Sequence, residues 1–96
     1  MIAISRFRLR ATQSVEEFLV ANATYQDRFV YRQPGIVRRT MTTGLDGEWA
    51  SFTLWRSMAD ARNAKAAADE SPVALSFHEL IDSTTCSTEY FKELPG

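Results

Sequence analysis

Apolar residues stand on both sides of the first run of the chain. Ile2 and Ile4 alternate to one face, Phe7 and Leu9 to the other. This predicts a strand over Ile2–Leu9, in a sheet covered on both faces. The period then lengthens. Val15, Phe18, Leu19, Asn22, Tyr25, Gln26 and Phe29 recur at three- and four-residue steps, opposite Glu16, Ala23 and Asp27. That is one face of an amphipathic helix. Ser14-Val15-Glu16-Glu17 supplies its capping box: the Ser14 hydroxyl accepts from the Glu17 amide, and the Glu17 side chain reaches back. Gln33-Pro34-Gly35 ends the helix, because proline restricts the residue before it and glycine accepts positive φ.

The period shortens again over Ile36–Thr43, rich in β-branched residues, and over Trp49–Arg56. Gly44-Leu45-Asp46-Gly47 between them predicts a hairpin turn. With a loop of two or four residues, Val37, Arg39 and Met41 share a face with Ala50, Phe52 and Leu54. Ile36, Arg38, Thr40 and Thr42 then share the other with Trp49, Ser51, Thr53 and Trp55. Both faces carry large side chains. Two helices cover only one, so a second copy of the chain is expected over the other.

Ser57 caps the next helix, with Asp60 in its first turn. The helix runs through Ala68 and is rich in alanine, the best helix former. Its smooth face either packs closely on the sheet or leaves room for a ligand. Asp69-Glu70-Ser71-Pro72 breaks and restarts it, with Ser71 as cap and Pro72 at the first helical position. Val73, Phe77, Leu80 and Ile81 form a short apolar stripe beside His78. Ser83–Leu94 predicts the last strand, which Pro95 and Gly96 end. The order β, α, β, β, broken α, β is that of a ferredoxin-like α+β fold with a four-stranded antiparallel sheet.

The 96 residues suffice for one domain, 1–96, and a chain this short buries only about 60–65% of its unfolded surface, so self-association is a common remedy. Eleven basic and twelve acidic residues nearly cancel. No broad field favours nucleic acid or an anionic membrane. The pairs Arg6/Arg8 and Arg38/Arg39 are read as solvated or ion-paired rather than as a phosphate patch. Cys86 has no partner for a disulfide and no neighbouring base, so it reads as a strand residue. MIAISRFRLR lacks the pattern of a signal peptide, and no apolar run approaches a membrane span. A cytoplasmic protein is expected.

Gln33-Pro34-Gly35, Asp46-Gly47-Glu48-Trp49, Leu54-Trp55-Arg56-Ser57 and Ser71-Pro72 with Phe77 and Ile81-Asp82 stand in an order that resembles the antibiotic-biosynthesis-monooxygenase-like family of dimeric α+β barrels. The likeness covers nearly the whole chain. It implies two four-stranded sheets facing each other in a homodimer, each subunit with a cleft between sheet and helices. Members of that family oxidise aromatic substrates with molecular oxygen and no cofactor, or degrade heme, or have no known activity.

Candidate pocket residues follow: Asn22, Tyr25, Gln26, Arg38, Trp55 and His78. Cofactor-independent oxygenation needs a pocket that deprotonates a small aromatic or quinone-type substrate and holds its anion near oxygen, which Tyr, Trp, Asn and Arg side chains can do. Each candidate has a plainer reading. Asn22 and Gln26 either cap backbone groups at the stripe's edge or face a polar cavity. Tyr25 and Trp55 are also ordinary core aromatics, and Arg38 an ion-pair partner. The resemblance sets His78 where heme-degrading members place an iron ligand. Those members also use an Asn on the first strand and a Trp on the second helix. Here the strand carries Arg6, Phe7 and Arg8, and the helix Asn63 and alanines. Heme is therefore the lesser alternative to no cofactor, and no metal-ligand spacing is present. A non-catalytic protein that binds a small ligand is the remaining reading.

Overall fold

A computed structural model describes residues 1–95; Gly96 lies outside the described residues. The elements are β1 (Ile2–Leu9), α1 (Val15–Arg28), a 3-10 turn (Val30–Arg32), β2 (Ile36–Thr43), β3 (Trp49–Trp55), α2 (Met58–Ala68), α3 (Pro72–His78) and β4 (Ile81–Phe91). The strands pair antiparallel in the order β2-β3-β1-β4. This is the α+β ferredoxin-like arrangement.

Local chemistry sets the element ends. The hydroxyls of Ser14, Ser57 and Ser71 accept the amides of Glu17 (3.3 Å), Asp60 (3.1 Å) and Ala74 (3.2 Å), which satisfies otherwise orphaned helix N–H groups. Glu17 does not return the bond to Ser14; it stays exposed. Gln33 Nε2 donates to Phe29 O at 3.1 Å and closes the end of α1. Gly35 has φ 82°, and a Cβ there would collide with the Asp60 side chain, so glycine is required twice over. β4 begins two residues earlier than expected and ends at Phe91. Ile81, read as part of a helical stripe, is instead the first residue of that strand, buried and paired with Leu9.

The faces of β2 are reversed from the sequence expectation. Thr43 pairs with Trp49, Met41 with Ser51 and Arg39 with Thr53. Residues 44–48 form an odd-numbered loop in which Gly44 N donates to Glu48 O at 2.7 Å and Gly47 takes φ 85°. An odd count shifts side-chain parity by one and flips the β2 residues from Arg38 to Thr43 across the sheet. Arg39 and Met41 therefore join Trp49, Ser51 and Thr53, whereas Arg38, Thr40 and Thr42 join Ala50, Phe52 and Leu54. A register shift between Ile36 and Arg38 returns Ile36 to the side of Trp55.

All three helices cover the tryptophan side. Phe18, completely buried on α1, packs on Phe7, Trp49, Phe77 and Ile81; its ring lies 4.9 Å from that of Trp49. Ala3, Trp55, Ala61 and Ala64 form a second cluster, and Phe29, Val30, Ala68 and Ala74 a third. Val15 and Leu19 remain about half exposed, because the buried stripe of α1 is centred on Phe18, Ala21 and Tyr25. The other sheet face carries Ile2, Ile4, Ala50, Phe52, Leu54 and Phe91, with Phe52 41% and Phe91 46% exposed. No helix among the described residues is long and apolar enough to cross a membrane.

Candidate functional site

Small side chains face each other across the sheet-helix interface. Ala3, Ser5, Ser51 and Thr53 form the floor; Ala61, Ala64 and Ala68 form the roof. Side chains this short leave a gap where close packing would otherwise fill the space. The result is a cleft of about 280 Å³, near the lower end of the ~300–1,000 Å³ usual for small-molecule sites. Tyr25, Phe29, Phe77 and Arg39 also line it, as does Trp55. His78, Arg6, Lys65, Asp69, Cys86 and Tyr90 also stand in its walls.

Arg39 is 8% exposed. Its Nη1 donates to Asn22 Oδ1 at 2.7 Å and to Gln26 Oε1 at 3.1 Å. The guanidinium carbon lies 5.1 Å from the Tyr25 ring centre and 5.7 Å from that of Phe77, two rings stacked 4.3 Å apart. The ion pairs among the described residues are Arg6–Glu89 and Arg8–Asp46, so Arg39 has no carboxylate within reach. Burial lowers its pKa, opposed by the Tyr25 and Tyr31 phenols, but a guanidinium stays charged in a protein. Nε and Nη2 make no hydrogen bond among the described residues. No sealed-off side-chain nitrogen or oxygen there lacks a partner, so these two atoms keep some accessible surface, on a residue that lines the cleft.

His78 is exposed, its ring edge-on to Tyr25 with centroids 5.5 Å apart. Partial burial of the ring and then the Arg39 cation lower its pKa, against an opposing pull from Asp69. The imidazole is thus neutral near pH 7 and able to accept a proton. Burial raises the Tyr25 pKa, with Arg39 opposing, so the phenol stays protonated as a donor. Burial and then Asp82 raise the Cys86 thiol, which keeps it un-ionised.

Of the six candidates, Tyr25, Trp55 and His78 line the cleft. Asn22 and Gln26 stand behind Arg39 and hold it. Arg38 is on the opposite sheet face, exposed, with Nε 3.4 Å from Thr40 Oγ1. The residue that sequence reasoning missed is Arg39, displaced by the odd-numbered hairpin loop. Two amides in a buried helical stripe were the signal that a donor must face them. No group of three His, Cys, Asp or Glu side chains among the described residues is placed to hold a metal ion.

No family model matches the chain, and no curated protein matches it. Solved structures do. A mutant of SnoaB, a cofactor-independent oxygenase from Streptomyces nogalater, is 24% identical with a TM-score of 0.76, over 99% of this chain and 93% of that one. A candidate antibiotic biosynthesis monooxygenase from Nitrosomonas europaea is 15% identical with a TM-score of 0.73, over 98% of each chain. Rv0793 from Mycobacterium tuberculosis is 18% identical with a TM-score of 0.71, over 99% and 95%. Identities this low carry architecture rather than activity. The chain has the fold of the antibiotic biosynthesis monooxygenase-type proteins.

Proposed function

We propose that this protein is a cofactor-independent oxygenase acting on a small electron-rich aromatic of the anthrone or quinol type, bound in the cleft. The observation that carries this reading is a buried guanidinium with an open edge, in a cleft that a neutral imidazole also lines. His78 accepts a proton from the activated carbon or hydroxyl of the substrate. Arg39, helped by the Tyr25 hydroxyl and the Trp55 indole N–H, carries the charge that develops on its oxygen. The electron-rich anion then reacts with dioxygen. At an anthrone-type methylene the carbon loses two hydrogens and gains one oxygen as a carbonyl; the second oxygen leaves as water with those hydrogens. Dioxygen is the oxidant and the only co-reactant. The likeness to SnoaB supports this reading.

A heme reading fits less well. His78 is free to bind iron, but a macrocycle is larger than the ligands that a cleft of about 280 Å³ holds. We infer further that two copies pair through the sheet face that the helices leave open. Its apolar centre and the flanking Arg6–Glu89 pair support a self-complementary contact.

An oxygen electrode tests the activity. Anthrone should drive dioxygen consumption with no added metal or flavin, unaffected by a chelator, and His78→Gln should slow it about 100-fold or more. Ligand binding with no oxygen uptake would instead make this a small-ligand-binding protein.

A further inference from the structure

The charge of Arg39 is unbalanced. Of the other charged residues lining the cleft, Arg6 is paired with Glu89, and neither Lys65 nor Asp69 makes an ion pair among the described residues. Buried charges are ordinarily paired. Here the two protein partners are neutral amides, and both bind the same nitrogen, Nη1. That leaves Nε and Nη2, the two nitrogens whose N–H bonds point side by side. This edge of a guanidinium matches two oxygens that share one negative charge. The stacked rings of Tyr25 and Phe77 flank the cation and give a planar ligand an aromatic wall.

We infer that the cleft takes its ligand as a planar aromatic anion presenting two adjacent oxygens, an aromatic carboxylate or the enolate of an aryl β-diketone, seated bidentately on Nε and Nη2 of Arg39. The assignment rests on the cleft being the substrate site proposed above and names the class of that substrate. A carboxylate brings its negative charge with it, whereas a β-diketone that is neutral in solution gains one by losing a proton on binding, with His78 as the acceptor in the cleft. Asn22 and Gln26 are then positioning residues: by holding Nη1 they turn the open edge toward the ligand.

Quenching of tryptophan fluorescence gives the test, since Trp55 lines the cleft. Naphthoate should bind about tenfold or more tightly than naphthamide, its neutral isostere. Arg39→Gln should bring that ratio close to one. Benzoylacetone, mixed with the wild-type protein at a pH where it is neutral in solution, should show the absorption of its enolate when bound. Whichever of the two anions binds more tightly names the source of the oxygen pair. Equal affinity for naphthoate and naphthamide with no enolate signal, or no binding of either anion at millimolar concentration, overturns the assignment. The wild-type comparisons stand even if Arg39→Gln does not fold. Oxygen uptake is followed in the same samples. Naphthoate has no activated C–H or O–H to oxidise and reports binding alone, so anthrone is added to the same protein for uptake. A bound anion with no uptake from anthrone defeats the oxygenase reading alone, and uptake with no preference for anions defeats this one alone.

Discussion

Asn22 Oδ1 accepts a 2.7 Å hydrogen bond from Nη1 of Arg39, tying α1 to β2 across the end of the cleft. The bond is charge-assisted, and it fixes which edge of the guanidinium the cleft sees. Asn22→Ala leaves Gln26 as the only partner of Nη1 and should cost about 1–3 kcal/mol in urea unfolding. Asn22→Asp supplies the missing carboxylate instead. It should keep stability near wild type yet weaken naphthoate binding about tenfold, because the cation is neutralised in place. Unchanged affinity in Asn22→Asp would show that the Arg39 charge does not govern binding.

The roof of the cleft is open because it is alanine. Ala64 is 6% exposed and both packs on Trp55 and lines the space. Ala64→Leu should fill part of that volume, abolish ligand quenching and cost no more than the ~1–3 kcal/mol of an overpacked core. Retained binding in a folded Ala64→Leu protein would place the ligand elsewhere.

Stability resides on the helix side of the sheet. Phe18, with no exposed surface, should cost about 3–5 kcal/mol when cut to alanine. Leu45, fully exposed at the hairpin tip, should change stability by less than about 0.5 kcal/mol on the same substitution. Chemical unfolding of the two variants compares them directly.

The proposed dimer has its own test. Wild-type protein should sediment at twice the chain mass at micromolar concentration. Phe52→Asp puts a charge at the centre of the open face and leaves the helix-side core intact, so a folded monomer is expected by circular dichroism and sedimentation. A wild-type monomer would remove the pairing proposal.

His78 predicts a pH dependence with a definite sign. Its folded pKa lies below the unfolded value of about 6.5, through partial burial and then Arg39, with Asp69 pulling the other way. Between those two values the unfolded chain binds more protons, so stability falls as pH drops from about 6.5 toward the folded pKa and levels off below it. His78→Gln should flatten that part of the profile in urea midpoints measured from about pH 7.5 to about pH 5. The activity of the proposed oxygenase should decline over the acidic limb, as the base becomes protonated.

Signals that act within a few residues were legible without coordinates. Ser14, Ser57 and Ser71 cap the helices because a hydroxyl three residues before an amide reaches it whatever the rest of the fold does. Gly35 ends the first helical region because few other residues adopt its φ. The order of strands and helices, with two alternating faces in β1, was enough for the ferredoxin-like sheet. Candidates whose helix or strand parity was set locally, Tyr25, Trp55 and His78, line the cleft.

Tertiary structure alone decided which arginine faces inward. Arg38 and Arg39 are adjacent and chemically identical, and their sides depend on whether the loop at 44–48 counts odd or even. That count is fixed by the pairing of Thr43 with Trp49, by the Gly44–Glu48 hydrogen bond and by the positive φ of Gly47. A strand has a side-chain period of two, so one residue of register carries a charge from solvent into the core. Likewise, alanine spacing made the helix certain, but only the facing Ala3, Ser5 and Ser51 of two other strands turned a smooth helix into the roof of a cavity.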